Sequence, residues 1–439
     1  MNTIAQKAVT DRRVIAIAIP IVLSNATIPI LGAVDTGVIG QLGEAAPIGA
    51  VGIGAIILSA IYWIFGFLRM GTTGMVAQAH GAGNAPETGA LLVRALIVAG
   101  AAGLFFILFQ PLVFWLAFQA SPAESEVETL ARTYLSIRVW SAPAAISVFA
   151  LTGWLIAFER TREVMVIQLV MNGLNIGLDI FFVLGLDWGV EGVATATLIA
   201  EWSGAALGLW YCRAAFKGPE WHNWPRIFNP ERLKSMAAVN SDIMIRSILL
   251  EITFVSFLFI GSDLSTVTLA ANQILLQFLM ITAYAMDGFA FAAEAIIGQA
   301  MGAKDRATLR RGAIVTSRWG LVTVTILSAA FLFGGTTLVD IMTTAPDVRQ
   351  TTRDYLPWMI AAPLIGCAAW MLDGIFIGAT RTRDMRNAML QSFAVYLAAL
   401  AILVPLLENH GLWAALMISF IARGATLFLR YPALEKSAG

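Results

Sequence analysis

Gln78-Ala79-His80-Gly81-Ala82-Gly83-Asn84 returns as Gln299-Ala300-Met301-Gly302-Ala303-Lys304-Asp305, an offset of 221 positions. Arg132-Thr-Tyr-Leu135 returns at the same offset as Arg353-Asp-Tyr-Leu356, and Arg160-Thr-Arg-Glu163 as Arg381-Thr-Arg-Asp384. Three matches at one offset, half the length of a 439-residue chain, indicate a tandem duplication. The surroundings of these motifs say what is duplicated. The chain is 58% hydrophobic and only 13% charged, with a mean hydropathy of +0.77. Soluble domains carry about 25% charged residues, so much of this surface must face lipid.

A membrane-crossing helix needs ~20 mostly apolar residues. Twelve such stretches are expected, at about 14–40, 48–78, 90–118, 130–157, 164–186, 190–215, 238–261, 267–299, 312–342, 352–379, 386–407 and 411–430. Turn-forming residues separate them: 81–86, Ser121-Pro122, Asp187-Trp188-Gly189, Asn229-Pro230 and Asn409-His410-Gly411. The run after Arg13 is too long for a signal peptide and reads as the first span. The fold class expected is therefore an all-α integral membrane protein of 12 transmembrane helices. They form two six-helix bundles related by pseudo-two-fold symmetry about the membrane normal: 1–215, a cytoplasmic linker 216–237, and 238–439. Duplicated bundles of this kind characterise secondary transporters, with substrate handled between the halves.

Loop charge orients the chain. Lys7, Arg12 and Arg13, Arg160 and Arg162, and Arg213, Lys217, Arg226, Arg232 and Lys234 lie in the termini and even-numbered loops. So do Lys304, Arg306, Arg310 and Arg311, then Arg381, Arg383 and Arg386, and finally Arg430 and Lys436. The odd-numbered loops are poor in bases, with Glu124, Glu126 and Glu128 in one of them. By the positive-inside rule both termini are cytoplasmic. Net charge is zero, so nothing suggests a nucleic-acid partner. The two cysteines and three histidines show no disulfide or metal spacing, and no cofactor is expected. Neither HExxH, GxSxG nor a pair of intramembrane histidines occurs, which excludes the usual intramembrane enzymes. Two repeated lobes suit alternating access better than a channel.

Charges inside the membrane are costly and therefore functional candidates. Asp35, Arg69, Asp179, Glu201, Arg246, Glu251, Asp287, Glu294, Asp373 and Arg423 fall within the apolar stretches. Asp35 lies ~33 Å along its helix from Arg13, and Asp179 ~26 Å from Arg162. Both are thus expected in the outer half of the N-terminal lobe. Asn172, Asn175 and Asp179, at i, i+3 and i+7, share one helix face. There a carboxyl flanked by amides, in a medium that disfavours its charged form, suits proton exchange. Pro29 precedes Asp35 by six residues and frees backbone groups, so a structural role for Asp35 against a broken helix is the alternative. Asp287 and Glu294 share a face of the eighth helix. With Asp373 they are expected either to line a substrate cavity or to pair with Arg246 or Arg69, and Glu251 and Arg69 are further cavity candidates. Glu201 and Arg423 occupy corresponding places in the sixth and twelfth helices and are expected to pair with one another.

The six-plus-six duplication and the QAxGAx[N/D] motif resemble the multidrug and toxic compound extrusion (MATE) family. So does Val34-Asp-Thr-Gly-Val-Ile-Gly40. Leu372-Asp-Gly-Ile-Phe-Ile-Gly-Ala-Thr-Arg-Thr-Arg-Asp384 resembles its DinF (DNA-damage-inducible protein F) branch. The resemblance covers essentially the whole chain. It implies a V-shaped pair of lobes in a bacterial inner membrane, working as a monomer. It also implies export of bulky, often cationic or aromatic organic compounds against inward H+ or Na+. It assigns ion coupling to Asp35 with the Asn175 and Asp179 pair, adds Thr197 on helix 6, and places Thr152 where some members have Asn. A sodium ion held at Asp35, Asn175 and Asp179 is the alternative coupling mode, and a lipid-linked precursor flippase the alternative cargo class. Bending of helix 1 near Pro20 or Pro29 is the expected conformational step.

Overall fold

The computed structural model describes residues 8–41, 43–120 and 125–439, and they are helical almost throughout. Ten helices are long and apolar enough to span a membrane. These are α1 (Asp11–Gly40), α2 (Ala45–Gly81), α3 (Ala85–Leu108), α4 (Ser125–Ala157), α5 (Thr161–Gly185), α7 (Pro230–Leu264), α8 (Thr266–Gly302), α9 (Arg306–Met342), α10 (Pro346–Gly378) and the run Thr382–Lys436. That last run is two helices: Glu408 has φ 49° and ψ −125°, so residues 382–407 form α11 and 409–436 form α12. Helix α6 (Gly189–Tyr211) is less apolar, but its 23 residues reach ~35 Å at the usual rise. Twelve spans among the described residues agree with the sequence reading. Differences lie at the ends. The third stretch is interrupted at Phe109 and resumes as Gln110–Ala120. Helix α4 starts at Ser125 rather than near 130, and α12 runs on to Lys436. Ser121-Pro122, Glu124 and Lys7 lie outside the described residues.

The repeat extends to the backbone. Left-handed residues end helices at Gly83 (φ 69°), Glu159 (φ 61°) and Asp187 (φ 56°). They do so again 221 positions later at Lys304 (φ 56°), Thr380 (φ 50°) and Glu408 (φ 49°). Such a residue satisfies the last carbonyls of a helix and stops it. After Gly83 and Lys304 the next helix is capped the same way in both copies. The Asn84 side chain accepts from the Glu87 amide, and Asp305 accepts from that of Thr308. Just inside α5 and α11, Arg160 pairs with Glu163 at 2.9 Å and Arg381 with Asp384 at 2.7 Å.

The chain divides into two compact units. One comprises the residues up to Val22, Ala77–Gly83 and Ser235–Gly439; the other comprises Leu23–Val76 and Asn84–Lys234. The N-terminal half of α1 and the end of α2 therefore pack with α7–α12. In that unit a Cβ placed on Gly288 would sit 2.6 Å from the Ala18 carbonyl oxygen. Asp11 accepts hydrogen bonds from Arg318 and Trp319. The repeated motif explains the position of Ala77–Gly83. A Cβ on Gly81 would fall 2.0 Å from the Gln299 carbonyl oxygen, and one on Gly302 2.0 Å from that of Gln78. Glycine at both places lets the ends of α2 and α8 cross backbone to backbone. Gln78 then donates to the Gly378 carbonyl and to Thr380 Oγ1, at 3.1 and 2.9 Å.

Candidate functional site

Helix α1 is broken between Asn25 and Ile28, and Pro29 opens its second half. Of the two expected bend points, the break adjoins Pro29, while Pro20 sits inside the regular first half. A proline near a helix start has no amide to leave unpaired. The Thr27 hydroxyl at the break donates to the Ser24 carbonyl at 2.6 Å and accepts from the Asn172 amide at 2.6 Å. The bend of α1 is thereby tied to α5.

Two turns beyond the break, Asp35 is half-buried and meets α5 at Asp179, which is fully buried. The two carboxyls lie within hydrogen-bonding reach of one another. Two ionised carboxylates repel at that range, and a proton on one of them relieves the repulsion. Donors are otherwise missing. Asp35 Oδ1, both oxygens of Asp179 and Asn175 Oδ1 are buried without a hydrogen-bond partner. Asn175, one turn before Asp179, is committed on its amide side, donating to Thr197 Oγ1 at 3.1 Å. Thr197 in turn donates to the Val193 carbonyl at 3.0 Å. The α-helical part of α5 ends at Asp179, and Ile180–Gly185 continues as a wider π-type turn. Such turns commonly mark functional positions.

Asn172, Asn175 and Asp179 share the buried face their spacing predicts. Thr152 does not join them: its hydroxyl donates to the Val148 and Phe149 carbonyls of its own helix, at 2.7 and 3.2 Å. Arg138 on α4 was missed by sequence reasoning. It is buried, holds Glu201 with two bonds of 2.7 and 3.0 Å, and stands within electrostatic range of Asp35 and Asp179. The signal lay in the helix start. Beginning at Ser125, α4 carries Arg138 more than a turn deeper than the apolar run suggested.

The acids assigned to a substrate cavity sit in different settings. Asp373 on α10 is in a buried ion pair with Arg246 on α7, which is the pairing alternative. Glu294 is buried on α8, Asp287 is half-buried on the same helix, and Glu251 is exposed on α7. Arg69 is half-buried on α2, in the other unit. The expected Glu201–Arg423 pair is corrected. Glu201 is bonded to Arg138, whereas Arg423 lies 3.9 Å from Asp373. No cluster of three or more His, Cys, Asp or Glu suited to a metal occurs among the described residues.

Twelve helices in a tandem repeat, with acids buried among them, define a polytopic membrane protein of the transporter class. The MatE family model matches residues 20–181 and again 243–403, once in each repeat. DNA damage-inducible protein F of Escherichia coli (strain K12) is 37% identical over 95% of this chain and 91% of its own. "Probable multidrug resistance protein NorM" of Bradyrhizobium diazoefficiens is 26% identical over 96% of this chain and 92% of its own. The crystal structure of the Vibrio cholerae MATE transporter VcmN in its bent form superposes with a TM-score of 0.87 at 19% identity, covering 98% of this chain and 97% of that one. The chain belongs to the MatE family and is similar to its DinF members.

Proposed function

We propose that this protein exports bulky, often cationic or aromatic organic compounds from the bacterial cytoplasm in exchange for protons. It would act as a monomer in the inner membrane with both termini cytoplasmic. The observation that carries the reading is the Asp35–Asp179 pair, whose buried oxygens have no protein donor to satisfy them. A proton supplies what is missing when the pair is loaded, and its departure leaves two like charges that cannot stay adjacent. Asp35 lies on the segment that follows the break at 26–27, and the Asn172–Thr27 bond links that break to the helix carrying Asp179. Loading and unloading the pair thus biases the angle of α1, which is the step that would alternate access. The similarity to a curated multidrug resistance protein supports the cargo class, and the alternation of loop charge supports the orientation.

Sodium coupling is the second reading, favoured by one feature: Asn175 Oδ1 also points to no donor, giving an oxygen-only set of the kind hard cations prefer. Purified protein in liposomes decides between them. Efflux of a cationic dye should follow an imposed proton gradient in sodium-free buffer and be lost in Asp35→Asn. Efflux that follows a sodium gradient at equal pH on both sides would replace the proton reading, and pH-driven efflux surviving in Asp35→Asn would end both.

A further inference from the structure

In the unit containing α7–α12, three charged side chains from three helices meet, all of them largely buried. Arg246 comes from α7, Asp373 from α10 and Arg423 from α12; the three are 7%, 6% and 2% exposed. Their charges do not cancel. Arg246 and Asp373 form a tight one-to-one pair. Arg423 stands 3.9 Å from the same carboxylate, an electrostatic distance too long for a hydrogen bond. Its remaining contacts are weak: Nη1 faces Met389 Sδ at 3.9 Å, and the guanidinium carbon lies 5.7 Å from the Phe420 ring centroid. The Nε atoms of both Arg246 and Arg423 are buried with no acceptor. Asp242, another buried carboxylate on α7, is already engaged by Arg386 and Thr382 at 2.7 and 3.1 Å.

A buried carboxyl can shed its charge by binding a proton, but a guanidinium cannot shed its own. The surplus positive charge has to be matched by something negative, because an unpaired ion in this environment is among the costliest arrangements a protein can hold. We infer that Arg423, backed by the Arg246–Asp373 pair, binds a small monovalent inorganic anion, chloride in the cell. One surplus charge calls for one negative charge, and side chains buried this completely favour an ion over an organic acid. The inference concerns a different unit from the Asp35–Asp179 pair and does not depend on the coupling ion.

Melting of the purified full-length protein in detergent tests it. At constant ionic strength and pH, replacing sodium gluconate with sodium chloride or bromide should raise the wild-type Tm by several degrees and saturate with halide. Arg423→Gln, which removes the surplus charge and spares the Arg246–Asp373 pair, should melt at the same temperature in all three salts. Equal melting of the wild type in gluconate and halide, or a saturable shift that persists in Arg423→Gln, would overturn the assignment. Should the variant fail to fold, wild-type crystals soaked in bromide must show anomalous density against the Arg423 guanidinium; none there rejects the site.

Discussion

The same place in the two repeats is built from opposite materials. Asp35, Asn175 and Asp179 in one unit correspond, 221 residues on, to Ser256, Tyr396 and Leu400 in the other. Ser256 and Tyr396 are 3.2 Å apart, and each finds the Thr253 carbonyl, at 3.0 and 3.2 Å. Leu400 is part of the apolar core that also contains Trp413 and Phe257. At this place the second copy has settled its polarity within the protein, as buried polar groups ordinarily do. The first copy has kept oxygens that nothing in the chain satisfies. On the coupling proposed above, this place handles the ion in one repeat and only packs in the other.

Six substitutions break or sharpen that contrast. Asp35→Asn and Asp179→Asn should each lower pH-driven dye efflux by about tenfold or more, a loss of an interaction essential to turnover. Adding Ser256→Asp to Asp35→Asn should not restore it; recovery would mean that the two copies are interchangeable. The glycine crossing is the control where the repeats ought to behave alike. Gly81→Ala and Gly302→Ala each drive a methyl group into a backbone carbonyl, and each should cost about 1–3 kcal/mol by overpacking. Thermal unfolding in detergent measures this, and one of the two being tolerated would show the crossing to be lopsided. Tyr396→Phe should cost about 1 kcal/mol for its lost hydrogen bond with efflux rates unchanged; collapse of efflux would make the second copy functional after all.

The smallest effect concerns the paired helix caps. Asp305→Ala and Asn84→Ala should each cost about 1 kcal/mol at neutral pH. Only the former depends on pH. The Thr308 amide, joined by its hydroxyl, holds the Asp305 carboxyl below the usual carboxylate range. A lowered folded-state value means the contribution is complete above the ordinary range and disappears as pH falls through the lowered value. The stability difference between wild type and Asp305→Ala should thus shrink on acidification, while that for Asn84→Ala should hold constant. A cap at Asp305 that is equally effective at pH 7 and in strong acid would contradict this.

Much of this was written in the sequence because lipid imposes it. A span needs a long apolar run, so the twelve helices and the 221-residue period could be counted directly. The stripe of Asn172, Asn175 and Asp179 was legible for the same reason, since spacing alone sets a helix face. Partners were harder to read. Glu201 and Arg423 are 222 residues apart, one out of step with the repeat, and each finds its partner within its own unit: Arg138 for the first, Asp373 for the second. Asp373 was ambiguous because a buried acid serves equally well as a ligand or an ion-pair member, and only coordinates reveal Arg246 beside it. Arg138 escaped notice because apolar runs mark where a helix is greasy, not where it begins.

The unit formed by Ser235–Gly439 is completed by residues up to Val22 and by Ala77–Gly83. During synthesis those early pieces leave the ribosome long before the framework they belong to exists. Cutting the chain in the 216–237 connection would accordingly not yield two self-sufficient fragments: the later one would lack the helix end that fits against Gln299 and the α1 segment seated on Gly288. Co-expressed fragments should recover the native arrangement far better than either does alone, and duplication of this gene has left two copies that can no longer be inherited separately.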